Sequence, residues 1–232
     1  MQMFGIIIEN AYIQSMKSVA IILAAGKGTR LNSKITKPLH NIGGRPMLAW
    51  SLDAAIAANA GRTITVLPPQ SEQIQNWLDG RDFCIQEKPL GTGHAVLSAA
   101  SQLADFEGVA LIMFADTPLI TADTLTCLVS SIDTSTSIAV LGFETSDPHG
   151  YGRLVTDSSG YITRIVEDKD ANDNEQRITF VNGGIMAVRC PLLFDLLNQV
   201  QPNSKNGEFY LTDIIAIANK TGERVAFQVA DE

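Results

Sequence analysis

Basic residues are in short supply. The 232-residue chain carries 17 Lys and Arg against 25 Asp and Glu, a formal net charge of −8. With no net positive field to draw in a polyanion, this composition argues against a general binder of nucleic acid or anionic membrane, and any anionic ligand must be held by a local cluster. Cysteine is scarce too. Cys84, Cys127 and Cys190 are odd in number, far apart and free of any C-x-x-C pair. Neither a disulfide framework nor a zinc knuckle fits that spacing, and three small buried thiols are the expectation. Long apolar runs are also missing. The N-terminal "MFGIII" is too short to span a bilayer, has no basic flank, and runs into Glu9 and Asn10 rather than a cleavage-site pattern. No internal repeat, low-complexity tract or Pro/Gly-rich linker divides the chain. A soluble, cytoplasmic globular protein is therefore expected, and 45% hydrophobic residues suffice for an ordinary core.

What is present is a regular alternation. Short apolar runs suggest strands at 19–23, 63–67, 109–114, 137–141, 154–157, 162–167, 180–188 and 224–229. Helical patterns fall at 47–58, 71–79, 93–103, 122–131, 191–199 and 210–219. Up to Thr145 strands and helices alternate, as in βαβ units; from Thr145 to Arg189 the chain reads as strands and turns, punctuated by "DPHGYGR" and "DSSG". The expected fold is α/β, a doubly wound sheet with a β-rich insertion at about 145–189 in the same compact body. The segment "MKSVAIILAAG" opens the pattern, so residues 17–232 read as one domain and 1–16 as an N-terminal extension with no role assigned.

The loop after the first strand, "ILAAGKGTRL" (22–31), combines Gly26 and Gly28 with Lys27 and Arg30. Glycines there let backbone N–H groups approach an anion at the carboxyl edge of a parallel sheet, where open α/β folds bind ligands. Two familiar glycine motifs fail. A P-loop needs Gly five residues before Gly26 and Ser or Thr after Lys27, and the chain has Ile21 and Gly28. A dinucleotide fingerprint needs Gly at 31 and an acid ending a second strand, and the chain has Leu31 and a helix-like "RPMLAWSLDAA". Arg30 and Lys37, close behind the turn, can neutralise a polyphosphate and the charge that builds on it during phosphoryl or nucleotidyl transfer. Asp116 closes the apolar run of "IMFADTPLI" and is placed to bind Mg²⁺ bridging phosphate oxygens; the alternative is a helix cap, for which Thr121 and Asp123 stand nearer. In "IQEKPLGTGHA", Gln86 offers a donor and an acceptor to a base edge, and Gly91-Thr92-Gly93 offers flat backbone for a base to lie against. His94 falls in the first turn of the following helix and reads as structural, since a phosphate nucleophile is already ionised at neutral pH. Glu167 and Asn182 can bind sugar hydroxyls, with Gly152 and Gly183 permitting close approach, or they are ordinary polar residues of a sheet edge.

In order along the chain, "LAAGKGTRL", "TKPLH", "LGTGHA", "ADTPLI", "GYGR", "VEDKD", "NGGI" and "GEFYLTDI" resemble the uridylyltransferase (pyrophosphorylase) domain of the GlmU family, over roughly Ser18 to Val229. The resemblance implies a Rossmann-like mixed sheet of the nucleotide-diphospho-sugar transferase type. It implies transfer of UMP from UTP to N-acetyl-α-D-glucosamine 1-phosphate, with Mg²⁺ as cofactor and pyrophosphate as the second product. By the same resemblance, Leu23, Ala24, Ala25 and Gly26 contact the nucleotide, and Gln86, Gly91 and Thr92 read uracil. Arg30 and Lys37 hold the triphosphate and stabilise the transition state, Asp116 binds the metal, and Gly152, Glu167, Asn182 and Thr212 receive the acetylated sugar. The chain departs from the family pattern at Ala115, where Gly is usual before the metal-binding Asp, and at Thr36 and Pro38, since the family places Pro before the lysine rather than after it. A family asparagine expected as the second metal ligand would fall beyond Glu232, as would the left-handed β-helix acetyltransferase domain. A related enzyme using another sugar or base, and a weakly catalytic nucleotide-sugar-binding module, are the alternatives that the sequence leaves open.

Overall fold

The first strand, β1 (Ser18–Leu23), is buried along its whole length. Its residues alternate between two cores: Val19, Ile21 and Leu23 join one apolar cluster, Ala20 and Ile22 the other. A run of small and β-branched residues suits such a position because both faces of the strand must be apolar. The structure is a computed structural model that describes residues 17–26, 28, 33 and 35–230.

The chain continues through a 3₁₀ turn at Lys37–Leu39, a short hairpin of β2 (Asn41–Ile42) and β3 (Arg45–Pro46), and helix α1 (Met47–Ala57). Next come β4 (Arg62–Leu67), α2 (Glu72–Leu78), β5 (Phe83–Ile85), α3 (Thr92–Leu97), β6 (Val109–Phe114) and α4 (Ala122–Ser130). The second half comprises β7 (Thr136–Glu144), β8 (Arg153–Thr156), β9 (Ile162–Val166), β10 (Phe180–Arg189), α5 (Cys190–Leu197), α6 (Asp213–Lys220) and β11 (Arg224–Val229). The main sheet runs β11-β7-β10-β6-β1-β4-β5. It is mixed: β1 is parallel to β4 and β6, while β10 lies antiparallel between β6 and β7. Helices α1, α2 and α4 cover one face, and α3, α5 and α6 the other, through the two apolar clusters. The expected Rossmann-like, doubly wound mixed sheet is thus the observed fold.

Within 145–189 only β8 and β9 stand off the main path, as a hairpin joined to β10 at Val181↔Arg153. Strand β10 itself runs through the middle of the sheet. Its pairing with β7 reaches Glu144, which explains why β7 extends beyond the expected 137–141. The helix expected from residue 210 begins at Asp213, because the N–H groups of Phe209 and Leu211 are already bonded to another loop, at Leu90 O (2.8 Å) and Thr92 Oγ1 (3.0 Å). The thiol expectation holds only in part: Cys190 is buried, Cys84 is half-buried and Cys127 is exposed. Cys127 sits on α4, whose Leu125 and Leu128 face inward. Among the described residues no helix is long and apolar enough to cross a membrane.

Candidate active site

After β1 the chain builds β4 and β5 on one side, then returns to place β6 on the other. The carboxyl ends of β1 and β6 therefore flank a topological switch point, where an open α/β sheet leaves a crevice. Leu23 pairs with Phe114 there, and Ala115 N donates to Leu23 O at 3.0 Å. The crevice is a cleft of about 540 Å³, walled by Leu23–Gly26, Lys37, Pro38, Gln86, Gly91, Thr92 and Phe114–Asp116 together with Glu167, Lys169, Glu208 and Tyr210.

Lys37 reaches the cleft from its 3₁₀ turn, and Gly28 makes room for it. Gly28 has φ +55°, and a Cβ built on it would stand 2.9 Å from the Lys37 Cβ. The Lys37 ammonium forms an ion pair with the Asp116 carboxylate, with both side chains 36% exposed. A pair so open to solvent is worth no more than about 1 kcal/mol, so either partner can exchange it for a ligand at little cost. Asp116 does not cap the next helix: that role belongs to Thr121, whose Oγ1 accepts from Thr124 N at 3.2 Å. No cluster of three His, Cys, Asp or Glu side chains suited to a metal occurs among the described residues. One accessible carboxylate on the wall of this cleft nevertheless fits Mg²⁺, which is commonly held by one or two carboxylates plus substrate phosphates and keeps several waters.

The opposite end of the β1 edge is built from two loops that dock through their backbones. Gly93 N donates to Phe209 O and Phe209 N to Leu90 O, both at 2.8 Å, and Thr92 Oγ1 accepts from Leu211 N. Gly91 has φ +101°, and a Cβ there would lie 2.6 Å from Phe209 O. The two glycines of "LGTG" thus serve the approach of this second loop. Gln86 is 5% exposed, and its Nε2 donates to Gly91 O at 3.0 Å.

Glu167 follows β9 and enters the cleft wall. Its Oε1 accepts from Thr212 Oγ1 at 2.9 Å. Gly152 and Asn182 lie next to each other, with Asn182 N donating to Gly152 O at 2.7 Å, while Asn182 Oδ1 accepts from Gly184 N. The β8–β9 register pairs Arg153 with Val166, so Gly152 and Glu167 stand one step beyond on adjacent strands. Behind them the buried Arg153 guanidinium donates to Asp168 Oδ1 at 2.8 Å and, by that bond, holds the Asp168 carboxyl below the usual carboxylate range. Burial, then the charges of Glu167 and Asp170, pushes the Asp213 carboxyl above it.

The cleft therefore collects Leu23, Ala24, Ala25, Gly26, Lys37, Gln86, Gly91, Thr92, Asp116 and Glu167 from the sequence-predicted set. Gly152, Asn182 and Thr212 adjoin Glu167 without being part of that wall. Arg30 lies outside the described residues. The sequence reading missed Lys169 and Tyr210, which also wall the cleft, the Lys169 Nζ standing 4.8 Å from the Tyr210 ring centroid. Both lie inside segments already singled out, "VEDKD" and "GEFYLTDI", so position within a motif was the available signal.

A family profile described as "MobA-like NTP transferase domain" matches residues 20–175. "Bifunctional protein GlmU" of Maricaulis maris is 46% identical over 214 residues, 91% of this chain and 47% of that protein. Proteins of the same name from Geobacter sulfurreducens and Streptococcus mutans are 43% and 40% identical, over 91% and 93% of this chain and 46% and 48% of theirs. The chain thus spans about half the length of the curated relatives it matches. A solved structure, "The Crystal Structure of UDP-glucose pyrophosphorylase complexed with UDP-glucose", superposes with TM-score 0.77 over 91% of this chain and 90% of that one. At 20% identity this likeness shows the fold alone.

Proposed function

The chain belongs to the MobA-like NTP transferase domain family, a nucleotidyltransferase class, and on that premise we propose that it transfers UMP from UTP to N-acetyl-α-D-glucosamine 1-phosphate. The observation that carries this reading is the joining, in one cleft, of the Lys37–Asp116 pair at the switch point with the Gln86–Gly91–Thr92 wall and with Glu167. The GlmU relatives and the motif order of the sequence support the choice of base and sugar. The reading goes with a cytoplasmic enzyme, in the compartment that supplies nucleoside triphosphates.

In this mechanism the base lies against the Gly91–Thr92 backbone with Gln86 on its edge, and the triphosphate crosses the loop at Ala24–Gly26. Lys37 leaves Asp116 for the phosphates and neutralises the charge that grows as the α-phosphorus is attacked. The sugar is held from Glu167, itself oriented by Thr212, with Gly152 and Asn182 at the next position. Its phosphate oxygen is the nucleophile and needs no general base. Attack in line forms the new P–O bond as the bond to pyrophosphate breaks, without a covalent enzyme intermediate. Asp116 would hold Mg²⁺, which when bound supplies charge neutralisation across the phosphate oxygens. Catalysis is then positioning plus preorganised charge.

The test is a substrate panel. The purified chain is incubated with Mg²⁺, each of UTP, CTP, ATP and dTTP, and each of N-acetylglucosamine 1-phosphate and glucose 1-phosphate, and the products are identified by mass spectrometry. UDP-N-acetylglucosamine as the dominant product is expected. Preference for glucose 1-phosphate would move the assignment to a related sugar, and tight UDP-N-acetylglucosamine binding without turnover would move it to a binding module.

A further inference from the structure

His94 is unused in the mechanism above, yet it touches the residue that faces the base. We infer that His94 is a positioning residue for nucleobase selectivity, holding the Gln86 side-chain amide in the one orientation that presents an acceptor to the cleft. The inference rests on the reading of this cleft as a uridine nucleotide site.

Gly91 O, 3.0 Å from the Gln86 amide, can only accept, so the atom facing it is the amide nitrogen, Nε2. The same nitrogen lies 3.2 Å from His94 Nδ1. Since Nε2 has two hydrogens and no acceptor capacity, Nδ1 must accept, which places the imidazole proton on Nε2 of His94. Both hydrogens of the amide are then used. Gln86 Oε1 has no donor among the described residues, and the residue walls the cleft. The site accordingly offers an acceptor.

That acceptor matches uracil and thymine, whose N3 carries a hydrogen, and opposes cytosine, whose N3 is an acceptor. Flipping the amide would offer the opposite pattern, at the cost of setting Oε1 against Gly91 O and of moving the imidazole proton of His94 from Nε2 to Nδ1. Two contacts therefore guard the orientation, and His94 supplies one. The His94 main chain is held in α3, where its carbonyl O accepts from Ser98 Oγ at 3.1 Å. The Gln86 main chain is held by its N–H to Leu67 O at 2.8 Å. What His94 leaves to decide is the last torsion of the glutamine.

The experiment compares kcat/KM for UTP and for CTP, with saturating sugar phosphate, in the wild type, His94→Leu and His94→Asn. Leucine removes the acceptor; asparagine can return an oxygen to the place of Nδ1. The ratio of UTP to CTP efficiency should fall roughly three- to tenfold in His94→Leu, the worth of one net hydrogen bond, and recover to within about twofold in His94→Asn. A fall in both efficiencies by one common factor would mark His94 as merely structural and overturn the inference, as would His94→Asn behaving like His94→Leu. A wild type that does not prefer UTP to CTP would instead overturn the functional reading on which the inference stands, and the inference with it.

Discussion

Replacing Gly91 with alanine tests whether the cleft's base-facing end depends on the docking of two loops. Gly91 combines φ +101° with ψ 176°, a region essentially reserved for glycine. An added Cβ would also meet Phe209 O at 2.6 Å and Phe209 N at 2.9 Å, both backbone atoms that cannot rotate away. The Phe209 segment must move, loosening the bonds from Gly93 N to Phe209 O and from Phe209 N to Leu90 O. Gly80 supplies the control: its φ is +83° and a Cβ there meets nothing within 4 Å. Both positions have a positive φ, so each substitution carries backbone strain of about 1–3 kcal/mol. The two hydrogen bonds, at about 0.5–1.5 kcal/mol each, are lost only at Gly91, an excess of about 1–3 kcal/mol. For a domain of this size that excess corresponds to roughly 2–12 °C in Tm beyond the Gly80→Ala value. The assay is thermal unfolding of the two variants, paired with KM for UTP, which should rise in Gly91→Ala and stay level in Gly80→Ala. Equal Tm losses with unchanged KM would show that the cleft does not depend on the docking of the two loops.

Three further outcomes are expected. Thr212→Val removes the hydroxyl that orients Glu167, so KM for the sugar phosphate should rise about three- to tenfold while KM for UTP stays level; steady-state kinetics with each substrate varied checks both. Asp168, held below the usual carboxylate range by Arg153, stabilises the fold above the unfolded value near 3.9, and that contribution is lost as pH falls through the lower folded value. The Tm gap between wild type and Asp168→Asn should therefore be full at pH 6 and narrow below about pH 4, as read by thermal melts across that range. Cys127, exposed on α4, should be alkylated in the native protein, whereas Cys190, buried and with its thiol pushed up to about 11, should react only on unfolding; peptide mass spectrometry distinguishes them.

Much of the fold was legible because each central strand is apolar and each covering helix is bounded by polar or small residues. Strands 109–114 and 224–229 fall where the pattern put them. The hairpin of β2 and β3 and the three-residue β5 were not legible, being too short to show a period. The start of α6 was hidden for another reason: "GEFYLTDI" has helical spacing, but the N–H groups of Phe209 and Leu211 answer to a loop more than a hundred residues earlier. The site was legible where a motif ends a strand, as at Leu23–Gly26 and Asp116. It was less so where a side chain acts through a neighbour. Nothing in the sequence tied His94 to Gln86, or Gly28 to the room needed by Lys37, since both depend on how loops meet at the switch point.

The most direct measurement of the central claim is pyrophosphate release from UTP and N-acetylglucosamine 1-phosphate, with Mg²⁺ present, by the wild type and by Lys37→Ala. Release should require both substrates and fall roughly 10²- to 10³-fold in the variant, as for loss of one preorganised charge-stabilising group. Release at the same rate by Lys37→Ala, or none above background by the wild type, would contradict that claim.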